Sequence, residues 1–529
     1  MACPVAAEVD RVRTAEVIAA LSLATDLGIG VPLEHGLQST LYAMRLADRL
    51  GVDAETGSHT YYACLLFYVG CTAGAETASE LFGDERALMT YAGPVRFGSR
   101  TEMMGGIVRA IAPPGQPVAA RAVRLASRLP KVARAFPEQV ATFCQVAQML
   151  TDRLGLPGSI KPLFAHFSER WDGKGDPAGA RGEEIPLAVR ITHVARDVAL
   201  QRMLGGDEHA VEVVSKRAGG AFDPSVAACL ARDWREILAL DAEEATWDRV
   251  LASEPSRQLV LEGESIDAAL RAMGSFADLI SRYLVGHSGG VAQLAETAAR
   301  RLRLAPDEVI RVRRAALVHD LGRVTVPVRI WQKAGPLTSD EREQVRLHAY
   351  HSERVLARSP FLASLAAIAG MHHERLDGSG YHRGSVVAAL PVSARLIAAA
   401  DAYHAMTEPR PHRAALAGAQ AAERLREEAR AGRLDPDAVS AVVEAAGHPP
   451  RKVERPAGLT KREAQVVGLL ARGAQTKQVA HVLGISVKTA DSHVQNAYRK
   501  IGVSTRAAAA VFAMEHGLTV SGELPIDRR

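Results

Sequence analysis

The stretch ALVHDLGRVTVPVRIWQKAGPLTSDEREQVRLH at 316–348 decides the fold of the central part of this chain. Its apolar opening ends in the adjacent pair His319-Asp320, so both side chains are expected where a buried helix meets a pocket. Gly322 then ends that helix or lets the backbone approach a ligand closely. The stretch closes on His348. Each histidine taken singly is best interpreted as an ordinary core or surface residue, so the surrounding sequence has to decide.

Working outward, the flanking sequence adds His287, the pair His372-His373 and Asp401. Two adjacent pairs of this kind within helical sequence favour a metal centre. Imidazole nitrogen and carboxylate oxygen suit divalent Mn, Fe, Ni or Zn. One carboxylate, that of Asp320, has two oxygens and can bridge two ions. Two such ions can hold the attacking and leaving oxygens of a phosphoryl displacement and lower the pKa of bound water.

Residues 283–413 resemble the HD-GYP branch of the HD phosphohydrolases. The resemblance rests on 316–348, on HHERLDGSGYHRG at 372–384 and on LPVSARLIAAADAYHAMTEPRPHR at 390–413. It implies an all-α HD fold, two divalent metal ions with Mn or Fe preferred, and phosphodiesterase activity, usually on cyclic di-GMP. The metal ligands that it implies are His287, His319, Asp320, His348, His372, His373 and Asp401.

The chain departs from the family pattern at three places. The family lysine after HD-x-G is Arg323, which offers a planar fork to a phosphate instead of a compact ammonium group. The signature Gly-Tyr-Pro is Gly380-Tyr381-His382, so the loop loses the fixed φ of proline. Tyr283 stands where members with a third metal carry glutamate, which argues for two ions. The implied catalytic residues are Asp320 and Arg323, and the implied substrate-binding residues are Arg323, Gly380, Tyr381, Arg410 and Arg413.

The first half of the chain is a second copy of the same pattern. Residues 35–71 align with 287–323, and ERWDGKG at 169–175 matches ERLDGSG at 374–380. In this alignment Phe67-Tyr68 replaces His319-Asp320, Phe167-Ser168 replaces His372-His373, and Arg196 replaces Asp401. Only His35 survives as an aligned ligand, so we expect the fold to persist without a catalytic metal. A sensory role and a purely structural role remain equally open for this copy.

The C-terminal segment 459–519 resembles the LuxR/GerE-type helix-turn-helix family. Thr460 and Glu463 form a capping box for its first helix. A third helix, opened by Ser486, is the predicted recognition helix for the major groove of double-stranded DNA. The family association also implies a homodimer. The implied DNA-binding residues are Lys477, Lys488, Thr489, Asp491, Ser492, Gln495, Arg499, Lys500 and Arg506.

The charge distribution agrees with a C-terminal nucleic-acid module. Residues 451–529 carry 13 Lys/Arg and 6 Asp/Glu, a net charge of +7, whereas the rest carries 51 and 54, a net charge of −3. A basic segment on a near-neutral body is the electrostatic footprint of DNA binding. With 47% hydrophobic and 23% charged residues, the 529-residue chain is not mainly disordered.

Several classes of protein are disfavoured by the same composition. No apolar run reaches the length of about 20 residues that a membrane helix needs, and the start resembles no secretion signal. Five cysteines without a C-x-x-C pair fit a reducing cytoplasm. The predicted domains are a metal-free HD-like domain at 1–245, an HD-GYP-like domain at 246–447, a linker at 448–458 and the DNA-binding domain at 459–529.

These features together predict a bacterial transcriptional regulator with a phosphodiesterase domain for a cyclic dinucleotide, cyclic di-GMP or a related nucleotide. The alternative is a transcription factor whose HD domain senses a nucleotide without catalysis, and Arg323 and His382 motivate it. A third possibility is hydrolysis of another nucleotide, such as a guanosine polyphosphate. The sequence does not rank these substrates.

Overall fold

The computed structural model of the chain is almost entirely helical, as predicted. It describes residues 10–175, 179–239, 244–255, 258–385, 389–449, 455–471, 473–516 and 518. The residues outside these ranges fall in all four predicted segments: 1–9, 176–178 and 240–243 in the first domain, 256–257 and 386–388 in the second, 450–454 in the linker, and 472, 517 and 519–529 in the last. The described helices include none that is long and apolar enough to cross a bilayer.

The helices follow one another with short connections. The first eleven are α1 (Thr14–Ile29), α2 (His35–Leu50), α3 (Ala54–Leu65), α4 (Ala75–Phe82), α5 (Ala87–Tyr91), α6 (Arg100–Ile111), α7 (Val118–Arg153), α8 (Leu187–Lys216), α9 (Pro224–Leu238), α10 (Thr246–Ala252) and α11 (Glu264–Asp278). The next eight are α12 (His287–Arg301), α13 (Pro306–Val318), α14 (Val328–Trp331), α15 (Ser339–Leu356), α16 (Pro360–Ala369), α17 (Val392–Thr407), α18 (Gly418–Arg430) and α19 (Pro436–Ala445). The last four are α20 (Lys461–Ala471), α21 (Thr476–Leu483), α22 (Val487–Ile501) and α23 (Arg506–Glu515).

The described strands are β1 (Arg11–Arg13) and β2 (Val260–Glu262), which pair in antiparallel register with Val12 opposite Leu261. This pair was not predicted from the sequence, because three-residue segments that lie so far apart carry no periodic signal. Packing divides the chain into two compact units. One contains 1–286 and 320–364, and the other contains 287–319 and 365–529.

The internal repeat is visible in matching local structure. Helix α2 begins at His35 and α12 begins at His287, as the alignment requires. A Cβ atom on Gly70 would lie 2.1 Å from the carbonyl oxygen of Phe143, and one on Gly322 would lie 2.1 Å from that of His348. Glycine is therefore required at both places, because any side chain would collide with backbone. The match also makes Phe143 the counterpart of His348.

The loop after the second aligned motif is held in the same way in both copies. In the first copy, the carboxylate of buried Glu169 accepts a hydrogen bond from the backbone N–H of Gly179. In the second copy, buried Glu374 accepts from the N–H groups of Arg383 and Ser385. Buried carboxylates thus organise both loops from within, which keeps the loop backbone similar although the side chains around it differ.

The C-terminal helices enclose two small apolar clusters. One joins α20, α21 and α22 through Val466, Val479, Ala490 and Val494. The other joins α20, α22 and α23 through Val467, Ala497 and Ala513. The predicted capping box is present: Thr460 N–H donates to Glu463 Oε2 at 2.7 Å, and Glu463 N–H donates to Thr460 Oγ1 at 3.2 Å.

Candidate metal centre and DNA-binding module

Within the unit that contains 287–319 and 365–529, the carboxylate of Asp401 lies among three histidines. Asp401 Oδ1 is 3.1 Å from His287 Nε2 and 3.9 Å from His319 Nε2. Asp401 Oδ2 is 3.7 Å from His373 Nδ1. Asp401 is only 3% exposed, and burial without a compensating charge would be costly for a carboxylate. A carboxylate surrounded by imidazoles in a dry site has the donor chemistry of a divalent cation site.

Backbone carbonyls set the orientation of two of these rings. Nδ1–H of His319 donates to the carbonyl of Ala316 at 2.8 Å, and Nδ1–H of His372 donates to that of Ala369 at 2.6 Å. A carbonyl only accepts, so Nδ1 carries the hydrogen and the lone pair lies on Nε2. The rings of His319 and His372 are 4.7 Å apart. The helix ends thus fix the tautomer that presents Nε2 to a metal.

A side chain plays this role for His287. Nδ1 of His287 lies 2.9 Å from Glu408 Oε2, and His404 Nδ1 lies 3.1 Å from Glu408 Oε1. Burial raises the pKa of Glu408, but the hydrogen bonds from His287 and His404 outweigh it and lower the pKa to about 2. Glu408 is therefore ionised and holds His287 with Nε2 facing Asp401.

Neither His404 nor Glu408 was predicted from the sequence. Their separation by four residues at the end of α17 puts them on one face, which was the available signal. Ligand atoms of His287, His404 and Glu408 all lie within 4.8 Å of one another and could themselves hold an ion. The prediction of two ions, based on Tyr283, therefore stays a prediction.

The other predicted ligands, Asp320 and His348, lie in the unit that contains 1–286 and 320–364. His348 Nε2 is 3.2 Å from Asp320 Oδ1, and His348 Nδ1 donates to the carbonyl of Val345. Both residues are at most 1% exposed. Arg323 Nη2 is 2.7 Å from Asp320 Oδ2, and its guanidinium lies 5.7 Å from the ring centre of Trp331. The structure thus gives the buried Asp320 a histidine and a cation as neighbours.

The predicted ligands have the chemistry that a divalent metal requires. The ligand atoms of His287, His319 and Asp401 lie within 4.8 Å of one another. All three residues are nearly inaccessible to solvent. In the second group, Asp320 directly follows His319 in the chain, and His348 lies further along it. The donor set, its burial and its fixed tautomers all fit divalent metal ions.

Two predicted substrate-binding arginines have partners within their own segment. Arg410 Nη2 donates to Glu408 Oε2 at 2.8 Å. Arg413 donates to the carbonyls of Ala405 and Met406 at the end of α17, and to that of Glu408. Arg413 therefore caps a helix C-terminus, which is a favourable place for a cation. The contacts seen for Arg413 are thus with backbone carbonyls, and its phosphate contact stays a prediction.

The signature loop lies against His373, one of the predicted ligands. The ring of Tyr381 packs on His373 with centroids 4.6 Å apart. Gly380 is buried, and a Cβ atom there would lie 2.5 Å from the Cα of Glu374. A side chain at 380 would therefore push the loop away from Glu374. The structure places Gly380 and Tyr381 beside one predicted ligand.

The aligned positions of the first copy contain no such ligand group. Phe67 stacks on Phe167 at 4.7 Å, and the guanidinium of Arg196 lies 4.1 Å from the ring centre of Tyr68. His35 is 2% exposed, and burial together with nearby Arg196 lowers its pKa well below the usual value. A buried cation thus lies where the second copy has Asp401, and it would repel a metal ion.

The recognition helix predicted in the C-terminal domain is α22. Its buried face contains Ala490, Val494 and Ala497, as the apolar stripe predicted. Ser486 caps it by accepting from the N–H of Thr489 at 3.0 Å. Seven of the predicted DNA-binding residues are exposed on this helix: Lys488, Thr489, Asp491, Ser492, Gln495, Arg499 and Lys500.

Three predicted phosphate contacts differ in their surroundings. Lys477 is exposed on α21. Lys500 Nζ donates to Glu463 Oε2 at 2.6 Å and to the carbonyl of Gly458 at 3.1 Å. Arg506 donates to the carbonyl of Leu470, in the last turn of α20, and to that of Ala474, just after this helix. Arg506 thereby connects the start of α23 to the end of α20.

Comparison with known families agrees with these observations. Residues 271–438 match the HD domain family, and residues 457–513 match the family described as bacterial regulatory proteins, luxR family. The chain contains an HD domain and a luxR-family domain. The family associations predicted from the sequence are thereby confirmed.

Curated proteins similar to the HD region include phosphodiesterases. The chain is 28% identical over 406 residues to 3′3′-cGAMP-specific phosphodiesterase 3 of Vibrio cholerae, covering 76% of this chain and 88% of that protein. It is 36% identical over 291 residues to a cyclic di-GMP phosphodiesterase of Pseudomonas aeruginosa, covering 55% of this chain and 66% of that protein.

A solved structure of cyclic GMP-AMP specific phosphodiesterases from V. cholerae has the same fold. It superposes with a TM-score of 0.56 at 24% identity and covers 83% of this chain and 99% of that chain. These matches confirm the all-α fold class with an HD architecture.

Proposed function

We propose that this chain is a DNA-binding transcriptional regulator whose HD domain hydrolyses a cyclic dinucleotide. The observation that carries the proposal is the carboxylate of Asp401 among His287, His319 and His373, with ring tautomers fixed from outside. Matches to a cyclic di-GMP phosphodiesterase and a 3′3′-cGAMP-specific one support the substrate class. The cyclic dinucleotides are therefore the first substrates to test.

Seven residues would hold two divalent ions, Mn or Fe, in this proposal. Bound ions would activate water and offset the charge that develops on the phosphate. His319 and Asp320 are consecutive, so one peptide bond links the two ligand groups. The proposed ligands are His287, His319, Asp320, His348, His372, His373 and Asp401.

The protein's own side chains have separate tasks in this mechanism. Glu408 keeps the Nε2 atom of His287 directed at Asp401. Arg323 supplies positive charge, and with Arg410 and Arg413 it is the proposed contact for substrate phosphate. Tyr381 packs on His373, and its ring is the proposed stacking surface for a nucleobase.

The same proposal assigns the remaining parts of the chain. We place the metal-free HD-like domain at 1–245, the HD-GYP-like domain at 246–447, the linker at 448–458 and the DNA-binding domain at 459–529. We expect a homodimer, because two-fold operators call for a two-fold protein. The combination of domains belongs in the bacterial cytoplasm, where chromosomal DNA and nucleotide messengers meet.

The test is product formation by liquid chromatography and mass spectrometry. Protein loaded with Mn or Fe is incubated with cyclic di-GMP, 3′3′-cGAMP and guanosine polyphosphates. Asp320→Ala is the inactive variant, and Asp307→Asn is the matched control because its side chain is 77% exposed on α13. Turnover that Asp320→Ala abolishes and Asp307→Asn retains is the expected result.

One observation favours a second function, nucleotide sensing without turnover. Arg323 Nη2 lies 2.7 Å from Asp320 Oδ2, where a lysine would have placed a smaller and more mobile charge. A guanidinium fixed on this carboxylate competes with a bridging metal. This alternative predicts nucleotide binding, absence of product and a DNA affinity that changes with nucleotide. Fluorescence anisotropy on a selected operator, with and without nucleotide, tests it.

A further inference from the structure

The first copy encloses a large cavity within the unit that contains 1–286 and 320–364. Its volume is about 970 Å³, at the upper end of the range of small-molecule sites. Aromatic rings form much of its wall: Phe67, Tyr68, Phe97, Phe143, Phe164 and Phe167. Such rings would be expected to fill a domain core, but here they surround space. The aromatic residues that replace the ligands in this copy therefore leave the space between them unfilled.

The cavity lies where the second copy has its proposed metal ligands. Phe67-Tyr68 aligns with His319-Asp320, and Phe167-Ser168 aligns with His372-His373. The equal approach of Gly70 and Gly322 to backbone makes Phe143 the counterpart of His348. All five aligned residues of the first copy line the cavity. It is thus the counterpart of a substrate site, with the metal ligands exchanged for aromatic rings.

The wall of the cavity also carries positive charge. Arg96 holds its guanidinium 5.4 Å from the ring centre of Phe67 and 5.9 Å from that of Phe97. It donates to the hydroxyl of Ser168 at 2.8 Å. Arg170 lines the cavity and donates to the carbonyl of Gly98 at 2.8 Å. Guanidinium groups held beside aromatic faces suit a ligand that is both planar and anionic.

Two more arginines extend this field. Arg100 lines the cavity, is exposed and has no hydrogen bond or ion pair among the described residues. Arg196 lies behind Tyr68 and is 2% exposed, and its Nε atom has no hydrogen-bond partner in the described part of the chain. Against these cations the acidic lining residues are Glu85 and Asp172, and Asp172 is already paired with Arg170.

We propose that this cavity binds a nucleotide, with the base stacked on the phenylalanine rings and the phosphate held by Arg96 and Arg100. The ligand is bound without metal and without turnover, because the aligned ligand positions offer rings and a buried arginine. Stacking on aromatic side chains suits any base, because every base has a π-face. The proposal stands independently of catalysis in the second copy.

Two native thiols make the site directly measurable. Cys71 and Cys144 line the cavity, whereas Cys229 does not. Full-length protein is labelled with N-ethylmaleimide, and the rate at each cysteine is read by peptide mass spectrometry. The probes are cyclic di-GMP, 3′3′-cGAMP and GTP, with guanosine as the phosphate-free comparison. A phosphate-bearing probe at ten times its Kd is expected to slow labelling of Cys144 about tenfold and leave Cys229 unchanged.

Charge-reversal variants assign the effect to this cavity. Arg100→Glu is expected to abolish the protection of Cys144. Arg109→Glu is the matched control, because Arg109 is exposed on the same helix, α6, and lies outside the lining. Arg100 is exposed at the first position of α6, where glutamate is compatible with the helix. Arg96→Lys adds a second test that keeps the charge but loses the planar fork.

The outcomes separate this proposal from the catalytic one. Protection of Cys144 that persists in Asp320→Ala, with or without turnover in the wild type, supports the nucleotide site. Absence of protection by every phosphate-bearing probe overturns it, and so does equal protection in Arg100→Glu. Dodecanoate serves as a further probe that has no base. Protection of Cys144 by dodecanoate alone would identify the cavity as a lipid site and would equally overturn the proposal.

Discussion

At the scale of single residues, the proposed metal site depends most on Asp401. Its carboxylate faces His287, His319 and His373. In Asp401→Asn we expect bound metal and turnover to fall by more than about 100-fold, beyond the usual effect of an outer partner. Metal content by plasma mass spectrometry checks this, with Asp307→Asn as control. Wild-type metal content in Asp401→Asn would exclude this carboxylate as a ligand.

Glu408 is a positioning residue for His287. Two substitutions separate the loss of its acceptor oxygen from the loss of its charge. Glu408→Ala removes the acceptor of the Nδ1 hydrogen and is expected to weaken metal binding about 10–100-fold. Glu408→Gln keeps an acceptor oxygen and should retain most of the affinity. Titration with Mn measures both. Glu427→Ala, with a side chain 48% exposed on α18, is the control, and equal losses in Ala and Gln variants would contradict the assignment.

The residue scale also shows what sequence alone provides. The seven proposed ligands could be named from the sequence because the HD-GYP pattern fixes residue type and order, and the structure places His287, His319, His373 and Asp401 close together. Glu408 and His404 were not, because the pattern identifies ligands but not the partners that orient them. Those partners are mostly backbone carbonyls, as for His319 and His372, and a carbonyl leaves no trace in the sequence.

At the scale of elements, α1 and α2 of the first copy share a buried carboxylate. Asp26 accepts from the N–H of Gly36, and burial raises its pKa from 3.8 to about 7, although nearby Arg196 opposes this. Between those two pH values the folded state binds a proton that the unfolded state has lost. Stability therefore falls as pH rises through this window and changes no further above it.

The consequence is a pH-dependent effect of substitution. Asp26→Asn is expected to be nearly neutral at pH 4 and to stabilise the protein above pH 7 by up to about 4 kcal/mol. Urea unfolding at several pH values measures the difference from wild type, with Asp48→Asn, exposed on α2, as control. A difference that does not grow with pH would show that Asp26 is ionised throughout.

In the C-terminal module two cations are expected to behave differently. Arg506→Ala loses hydrogen bonds to the carbonyls of Leu470 and Ala474, so it should lower the unfolding temperature. Lys488→Ala should leave stability unchanged, weaken DNA binding across sequences and reduce the salt slope by about one. Calorimetry and anisotropy at several salt concentrations measure both. Equal unfolding temperatures for Arg506→Ala and Lys488→Ala would contradict this assignment of Arg506 to stability and Lys488 to DNA binding.

At the scale of the whole molecule, the two copies of the HD pattern are expected to differ in metal content. His35 is the one aligned histidine of the first copy, and it is buried beside a cation. His35→Gln should therefore retain all bound metal, whereas His287→Gln, at the aligned position, should lose it. Metal analysis of both folded variants decides the matter, and loss of metal in His35→Gln would show that the first copy also binds an ion.

The order of the modules, the duplication and the helical fold class were all readable from the sequence, because each rests on contiguous motifs. The pairing of Arg11–Arg13 with Val260–Glu262 and the cavity of the first copy were not readable. A cavity is a property of packing density, and the same six aromatic residues could equally have filled the space they surround.

The matching supports of the two copies have one more consequence. Gly70 and Gly322 allow the same close approach of backbone in the two copies, and Glu169 and Glu374 hold the same loop. None of these four residues is among the aligned positions where metal ligands are replaced by other side chains. The duplicated scaffold thus provides two equivalent frames, one with the proposed metal ligands and one with the aromatic rings of the proposed nucleotide site. Protein engineers could exchange the site residues of the two copies. Histidines and aspartates introduced at the aligned positions of the first copy would give a chain with two reaction centres.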